Sequence, residues 1–339
     1  MLSAAAEDHP LVLLTGATGA LGPRVVEALL RNRYRVRVLA LDPPGAEALW
    51  SSVDVRIGDI NSPKDMCSSV EGAHLVVHMA AMLHITDPNR EQVRLYELVN
   101  VDGTRNVVAA ARDARVKRLV FFSTIAVYGD SAGCMLDEDA LPRPGTPYAR
   151  SKWQAEQIVL EACLPDGRPL GTVLRLAAVY GSRVKGNYLR LIQALAKKRF
   201  IPIGPGTNRR TLVYDKDVAG AVLAVLTDPK AAGRIFNVTD GGIHTLNDII
   251  HTICDALGRT PPRVQLPLAP LRSAAAVTGK AARLFGLGFP NVEAALDKLT
   301  EDLAVNGDRI RREIGFQPEY ELLTGLKEAV EEMRVRRDI

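Results

Sequence analysis

The sequence predicts an α/β protein, a doubly wound parallel sheet with a smaller C-terminal lobe, on three observations. An apolar run, Leu11-Val12-Leu13-Leu14, passes directly into a turn with glycine at positions 16, 19 and 22. Strand-like runs then alternate with helical patterns through the first half of the chain, the order that puts helices on both faces of a parallel sheet. Beyond about residue 178 the alternation loosens, which marks off the lobe.

The first run reads as a buried strand, a glycine turn and the start of a helix whose apolar side carries Leu21, Val25, Val26, Leu29 and Leu30. Further strand-like runs fall at 35–41, 53–57, 74–78, 119–122 and 172–176. Turn-rich stretches punctuate them at 42–45, 141–147 and 202–208. Residues 1–178 are expected to form the first domain, with 212–243 returning to its sheet, while 179–211 and 244–339 form the lobe. The helices around 91–112 and 151–163 carry apolar stripes of the kind that face a sheet.

A chain of 339 residues with 47% hydrophobic content can bury a large core. The formal net charge is only +4 and the pI about 8.9. No run of about five Lys or Arg residues stands out, which sets nucleic-acid binding aside. Cys67, Cys134, Cys163 and Cys254 are widely spaced, against both structural zinc and a disulfide framework. A reducing cytoplasm is the expected setting. Residues 1–9 lack the basic start and apolar stretch of a signal peptide, and no window approaches the roughly 18 apolar residues of a membrane span. Segment 266–289, where prolines give way to alanines and leucines among Arg272, Lys280 and Arg283, reads either as a membrane-surface helix or as a half-buried helix pair roofing a pocket.

The glycine turn suits a dinucleotide pyrophosphate. Gly16 can take a turn conformation closed to other residues, and Gly19 and Gly22 leave no β-carbon against the phosphates or between helix and strand. The anion then rests on N–H groups at the positive end of the helix, with Gly16, Thr18, Gly19, Ala20, Leu21 and Gly22 as candidate contacts. The glycines are spaced three and three, whereas the commoner fingerprint is spaced two and three, and a tight turn needs glycine without any ligand.

Tyr148 and Lys152 stand four apart at the start of a helical pattern and so project from one face. A phenol is a poor base at its ordinary pKa of about 10, but a nearby ammonium and a positive nicotinamide ring both favour phenolate. Lowering it to about 7 takes roughly 4 kcal/mol. An ordinary surface helix also places such pairs. The run Phe121-Phe122-Ser123-Thr124 adds a buried strand ending in hydroxyl groups able to hold a substrate oxygen.

With these residues in place the chain resembles the extended short-chain dehydrogenase/reductase family, in its epimerase, dehydratase and reductase branch. The resemblance covers nearly the whole chain: Gly16 to Gly22, Gly58-Asp59-Ile60, His78-Met79-Ala80-Ala81, Asn100 to Asn106, the Ser123-Thr124 strand, and Tyr148 with Lys152. It implies a Rossmann-type fold with a substrate-binding C-terminal lobe, a homodimer, and catalysis by Thr124, Tyr148 as acid and base, and Lys152. It further implies that Asp59 and Ile60 flank the adenine of the cofactor, that Ala80 and Ala81 pack on the pyrophosphate side, and that Asn100 supports the cofactor-proximal strand. Asp59 otherwise reads as a turn cap, Asn100 as a helix N-cap, and His78 as a satisfied core histidine. Cofactor preference turns on the end of the second strand, where Ala40 and Leu41 precede Asp42. A carboxylate there accepts from a free ribose hydroxyl and repels a phosphate, so NAD is expected and NADP stays open.

In the lobe, Asn187 and Arg210 look like the residues with which nucleotide-sugar enzymes hold a diphosphate, a planar guanidinium making two charge-assisted bonds at once. Arg210 also reads as a surface salt bridge. Ala178 stands where many such epimerases carry asparagine, and their uridine-binding Arg and Asp pair is not recognisable. Ile125 replaces the acidic residue of the 4,6-dehydratases, against elimination. A nucleotide-sugar 4-epimerase or 4-ketoreductase is the favoured expectation. A 3β-hydroxysteroid-dehydrogenase-like oxidoreductase and a non-catalytic NAD(P)-sensing regulator are the alternatives, the regulator disfavoured because cofactor binding alone does not need the phenol.

Overall fold

The computed structural model describes residues 9–85, 87–270, 272 and 301–339. Strands β1 (Leu11–Thr15), β2 (Arg35–Ala40), β3 (Asp54–Ile57), β4 (Leu75–His78), β5 (Arg118–Thr124) and β6 (Gly171–Leu176) come from the first half. Beyond them lie β7 (Ala178–Tyr180), β8 (Arg209–Arg210), β9 (Leu212–Tyr214), β10 (Ile235–Val238) and β11 (His244–Thr245). Seven of these form one sheet in the order β10-β6-β5-β4-β1-β2-β3, with every neighbour parallel. The Rossmann-type doubly wound sheet expected from the sequence is thus present, its six expected strand runs displaced by a residue or two at their ends.

Its strands read as apolar runs because both faces are covered. Alternate residues serve the two faces. Val12 and Leu14 pack with Val25, Val26 and Leu29 of helix α1 (Gly22–Arg31), and with Val218, Val222 and Val225 of a later helix at Asp215–Thr227. Leu11 and Leu13 face the other way, onto Met66 and Val70 of α2 (Pro63–Val70). After α3 (Arg90–Leu95) the same face is completed by α4 (Gly103–Asp113) and α5 (Pro147–Glu161), through Val107, Ala111, Ala155 and Val159. The apolar stripes of α4 and α5 therefore serve their own sheet.

The remaining helices are α6 (Asn187–Ala196), α7 (Asp215–Thr227), α8 (Leu246–Leu257), α9 (Asp308–Ile314) and α10 (Leu322–Val335). A third core joins α6, α8 and α10 through Ile192, Leu195, Ile249, Ile253, Leu326, Val330 and Met333. Leu303, Val305 and Ile310 pack instead with the sheet's own core. Most of the 266–289 segment lies outside the described residues. Among the described residues no helix is long and apolar enough to cross a membrane, and no group of three or more His, Cys, Asp or Glu side chains is placed to hold a metal ion. The four cysteines are free.

The strand order turns back between β1 and β4, which are hydrogen-bonded with Thr15 opposite His78. Ligands of open α/β sheets bind beyond the strand ends at such a reversal of strand order. Thr124 ends β5 two strands from β1.

Candidate active site

The glycine turn closes on itself, with Gly19 N–H donating to Gly16 O at 3.0 Å and Gly22 N–H to Gly19 O at 3.2 Å. Gly16 has φ +74°, and a β-carbon on it would lie 2.5 Å from the backbone nitrogen of Ala80. Close approach of the β1 and β4 loops therefore requires glycine here. No side chain caps α1 and its first turn holds no acidic residue, so the positive end of the helix faces an anion without a competing carboxylate. This is a cradle that fits a pyrophosphate.

Gly22 has a different role. A β-carbon there would sit 1.8 Å from Ala17 O, whereas one on Gly19 would be 3.1 Å from Gly16 O. Gly22→Ala is expected to cost about 1–3 kcal/mol by overpacking and Gly19→Ala clearly less. Thermal melts of the two variants measure the difference.

Around this cradle the other candidates are spread unevenly. Ile60 is buried and presses on Gly103, while Asp59 accepts from the backbone and side-chain amides of Asn61, capping its own turn. Asp42 is exposed just past the end of β2. Ala80 and Ala81 are half-buried beyond β4. His78 is fully buried between the hydroxyls of Thr15 (2.7 Å) and Thr104 (3.0 Å). Burial, with the charge of Lys152 added, pushes it down to about 3, so it is a neutral core residue.

Asn100 is not an N-cap. It lies inside a π-helical segment, Tyr96–Asp102, between α3 and α4. Its side chain accepts from Met82 N–H at 2.8 Å and donates to Met82 O at 3.1 Å and to Ser151 Oγ at 2.9 Å. Ser151 in turn donates to Tyr148 O. One buried amide thus joins the loop after β4 to the helix that carries Tyr148.

Helix α5 starts where the sequence demands. Thr146 caps it by accepting from Ala149 N–H at 3.1 Å, and Pro147 suits its first turn. Tyr148 and Lys152 follow one turn apart. The Tyr148 ring is flanked by Tyr96 and His84, each with ring centroids 5.9 Å away, the imidazole nearly perpendicular at 86°. Burial, with Tyr96 beside it, pushes the phenol up to about 12. Lys152 is buried with its Nζ 4.0 Å from the centre of the Phe121 ring. Burial pulls it down to about 7, against the opposing charge of Glu156.

Glu156, one turn further along, is fully buried and receives Arg175 Nε at 3.0 Å and Nη2 at 2.7 Å, together with the Ser123 hydroxyl. Ser123 and Arg175 stand opposite each other in β5 and β6, which brings both beneath α5. The Arg175 guanidinium also lies 4.7 Å from the centre of the Tyr128 ring.

Thr124 accepts from Ala126 N–H at 3.2 Å, which leaves its own proton to donate. It opens into a cavity of about 690 Å³ shared by His84, Arg143, Ala178, Asn187, Arg190, Arg210 and Glu301. Asn187 begins α6, and Arg210 Nη1 lies 3.4 Å from Glu301 Oε2, an ion pair on the cavity wall. Thr124, Asn187 and Arg210 are therefore brought together. Tyr148 adjoins that cavity through His84, and Lys152 lies deeper. Sequence reading missed several polar residues of the lining, among them His84, Asp130, Arg143, Thr146, Arg190 and Glu301; Arg143 and Thr146 fall in the turn-rich stretch at 141–147, and the others carried no local signal.

Comparison with known proteins gives one picture. The model of the NAD dependent epimerase/dehydratase family matches residues 12–239. A UDP-glucose 4-epimerase of Vibrio cholerae is 30% identical over 325 residues, covering 94% of each chain. An N-acetyl-alpha-D-glucosaminyl-diphospho-ditrans,octacis-undecaprenol 4-epimerase of Escherichia coli O157:H7 is 30% identical over 258 residues, 76% of this chain and 75% of that one. The solved structure of MoeE5 in complex with UDP-glucose and NAD superposes with a TM-score of 0.75 at 24% identity, covering 96% of this chain and 99% of that one.

Proposed function

The chain belongs to the NAD dependent epimerase/dehydratase family, and on that premise we propose that it moves hydride to and from a carbinol carbon of a nucleotide-diphosphate sugar, as a 4-epimerase or 4-ketoreductase. The observation that supports this most is the shared cavity. Arg143, Arg190 and Arg210 line it with Asn187 and Thr124, so groups suited to a diphosphate and to a reacting oxygen face one space. Residues 179–211 and 244–339 act in this reading as the substrate lobe, and a homodimer is its assembly.

Gly16, Thr18, Gly19, Ala20, Leu21 and Gly22 hold the pyrophosphate of NAD, and Ala80, Ala81 and Asn100 line its path. Asp42 takes the adenosine ribose, and Asp59 and Ile60 the adenine. When bound, NAD supplies the hydride acceptor and, in its oxidised form, a positive ring. Tyr148 takes the carbinol proton at its phenol oxygen and returns it when the ketone is reduced. Burial opposes the phenolate, and neighbouring positive charge is what restores it. Lys152, held against Phe121, supplies part of that charge and binds the nicotinamide ribose. Thr124 donates its remaining proton to the same substrate oxygen, which keeps the reacting carbon in place.

Incubation with NAD and UDP-glucose, followed by chromatography of the sugar nucleotides, tests the reading. Conversion to the 4-epimer or 4-keto sugar supports it. Arg210→Ala is expected to weaken UDP binding in calorimetry about 10- to 100-fold, the value of one charge-assisted pair. A second reading, oxidation of an apolar carbinol such as a sterol, draws on the apolar wall of the same cavity, Leu191, Ala194, Phe200 and Leu246. Reduction of NAD in the presence of a sterol carbinol, with no binding of UDP, would decide for it.

A further inference from the structure

The loop after β4 is held by four hydrogen bonds from one π-helical turn. Asn100 takes both Met82 N–H and Met82 O, while Tyr96 Oη accepts from Ile85 N–H at 2.8 Å and donates to Leu83 O at 3.1 Å. Four backbone groups around His84 are thereby fixed by two side chains spaced four apart. Such clamping is costly to build and is found where a side chain must be held in one place. π-helical turns themselves gather at functional sites.

The side chain so placed is His84. Its neighbour Leu83 points to solvent at 66% exposure, whereas His84 lines the cavity with Thr124 and sets its ring edge-on to Tyr148. Packing against a phenol ring asks only for an apolar group. An imidazole adds ring nitrogens, which donate or accept hydrogen bonds.

We propose that His84 contacts the substrate, binding through an imidazole nitrogen an oxygen on a carbon adjacent to the one that Tyr148 and Thr124 act upon. It rests on the proposed substrate class and makes His84 the group that selects a vicinally hydroxylated ring over a lone carbinol. With Tyr148 and Thr124 on one oxygen and His84 on the next, the ring has two fixed points beside the nicotinamide side, and the diphosphate provides the third.

The test uses the full chain with NAD, the nucleotide sugar it turns over, and the monodeoxy analogues of that sugar. His84→Ala and His84→Phe should both lower kcat/KM on the parent sugar by about 10- to 100-fold, the value of one hydrogen bond to a buried polar partner. On one monodeoxy analogue, the one lacking the bound hydroxyl, both variants should match the unmodified protein within about twofold. NAD and UDP affinity should stay unchanged, since neither carries the sugar ring. Recovery of activity by His84→Phe would assign the residue to packing on Tyr148 and overturn the proposal. Equal losses on every analogue would overturn it as well. Failure of UDP to bind at all sinks the substrate reading itself, and this proposal with it.

Discussion

Tyr148→Phe is expected to lower turnover at least ~100-fold and to leave NAD affinity nearly unchanged. The variant removes one oxygen and keeps the ring between Tyr96 and His84. Among the described residues nothing hydrogen-bonds that oxygen, so its loss strands no buried partner. Folding should survive, and any fall in rate belongs to chemistry. Rate measurements with calorimetry of NAD decide the matter: turnover equal to that of the unmodified protein removes Tyr148 from the mechanism.

The largest effect on stability is expected from Glu156→Ala. Glu156 and Arg175 are both buried, with side chains 0% and 3% exposed. Removing the carboxylate leaves a guanidinium with no counter-charge in the sheet's core, which costs about 3–5 kcal/mol. Urea denaturation should show it as a shifted midpoint with an unchanged slope. Replacing both members together, as Glu156→Leu with Arg175→Met, should recover much of the loss, because a paired ion in a core is worth little more than apolar side chains of its size. A double variant no more stable than Glu156→Ala would show that the pair contributes something beyond charge balance.

The glycine turn and its flanking strand and helix were legible because their signals are local. A strand, a turn and a helix follow one another between Leu11 and Arg31, and the glycine requirement at position 16 is a matter of its own φ and of Ala80. Tyr148 and Lys152 were visible because a single helix spaces them. What was hidden depends on sheet register. Arg175 meets Glu156 only because β6 sets it opposite Ser123, and no window of sequence contains all three. The same holds for Tyr96 and Asn100, whose backbone partners lie 11 to 18 residues away in a loop without regular structure. The readings of Asp59 as a turn cap and of Arg210 as an ion pair describe contacts that the side chains do make.

The late arrival of β10 has a consequence for how the chain must be made. β6 is buried along its whole length and hydrogen-bonds to β5 on one side and β10 on the other. During synthesis its outer edge stays bare until Ile235–Val238 has left the ribosome, and a bare apolar edge invites pairing with a second nascent chain. A fragment that ends between β6 and β10 keeps the glycine turn, Tyr148 and Lys152, yet presents this edge permanently. Such fragments should be recovered as aggregates, and a soluble truncation should need the chain to run beyond residue 238.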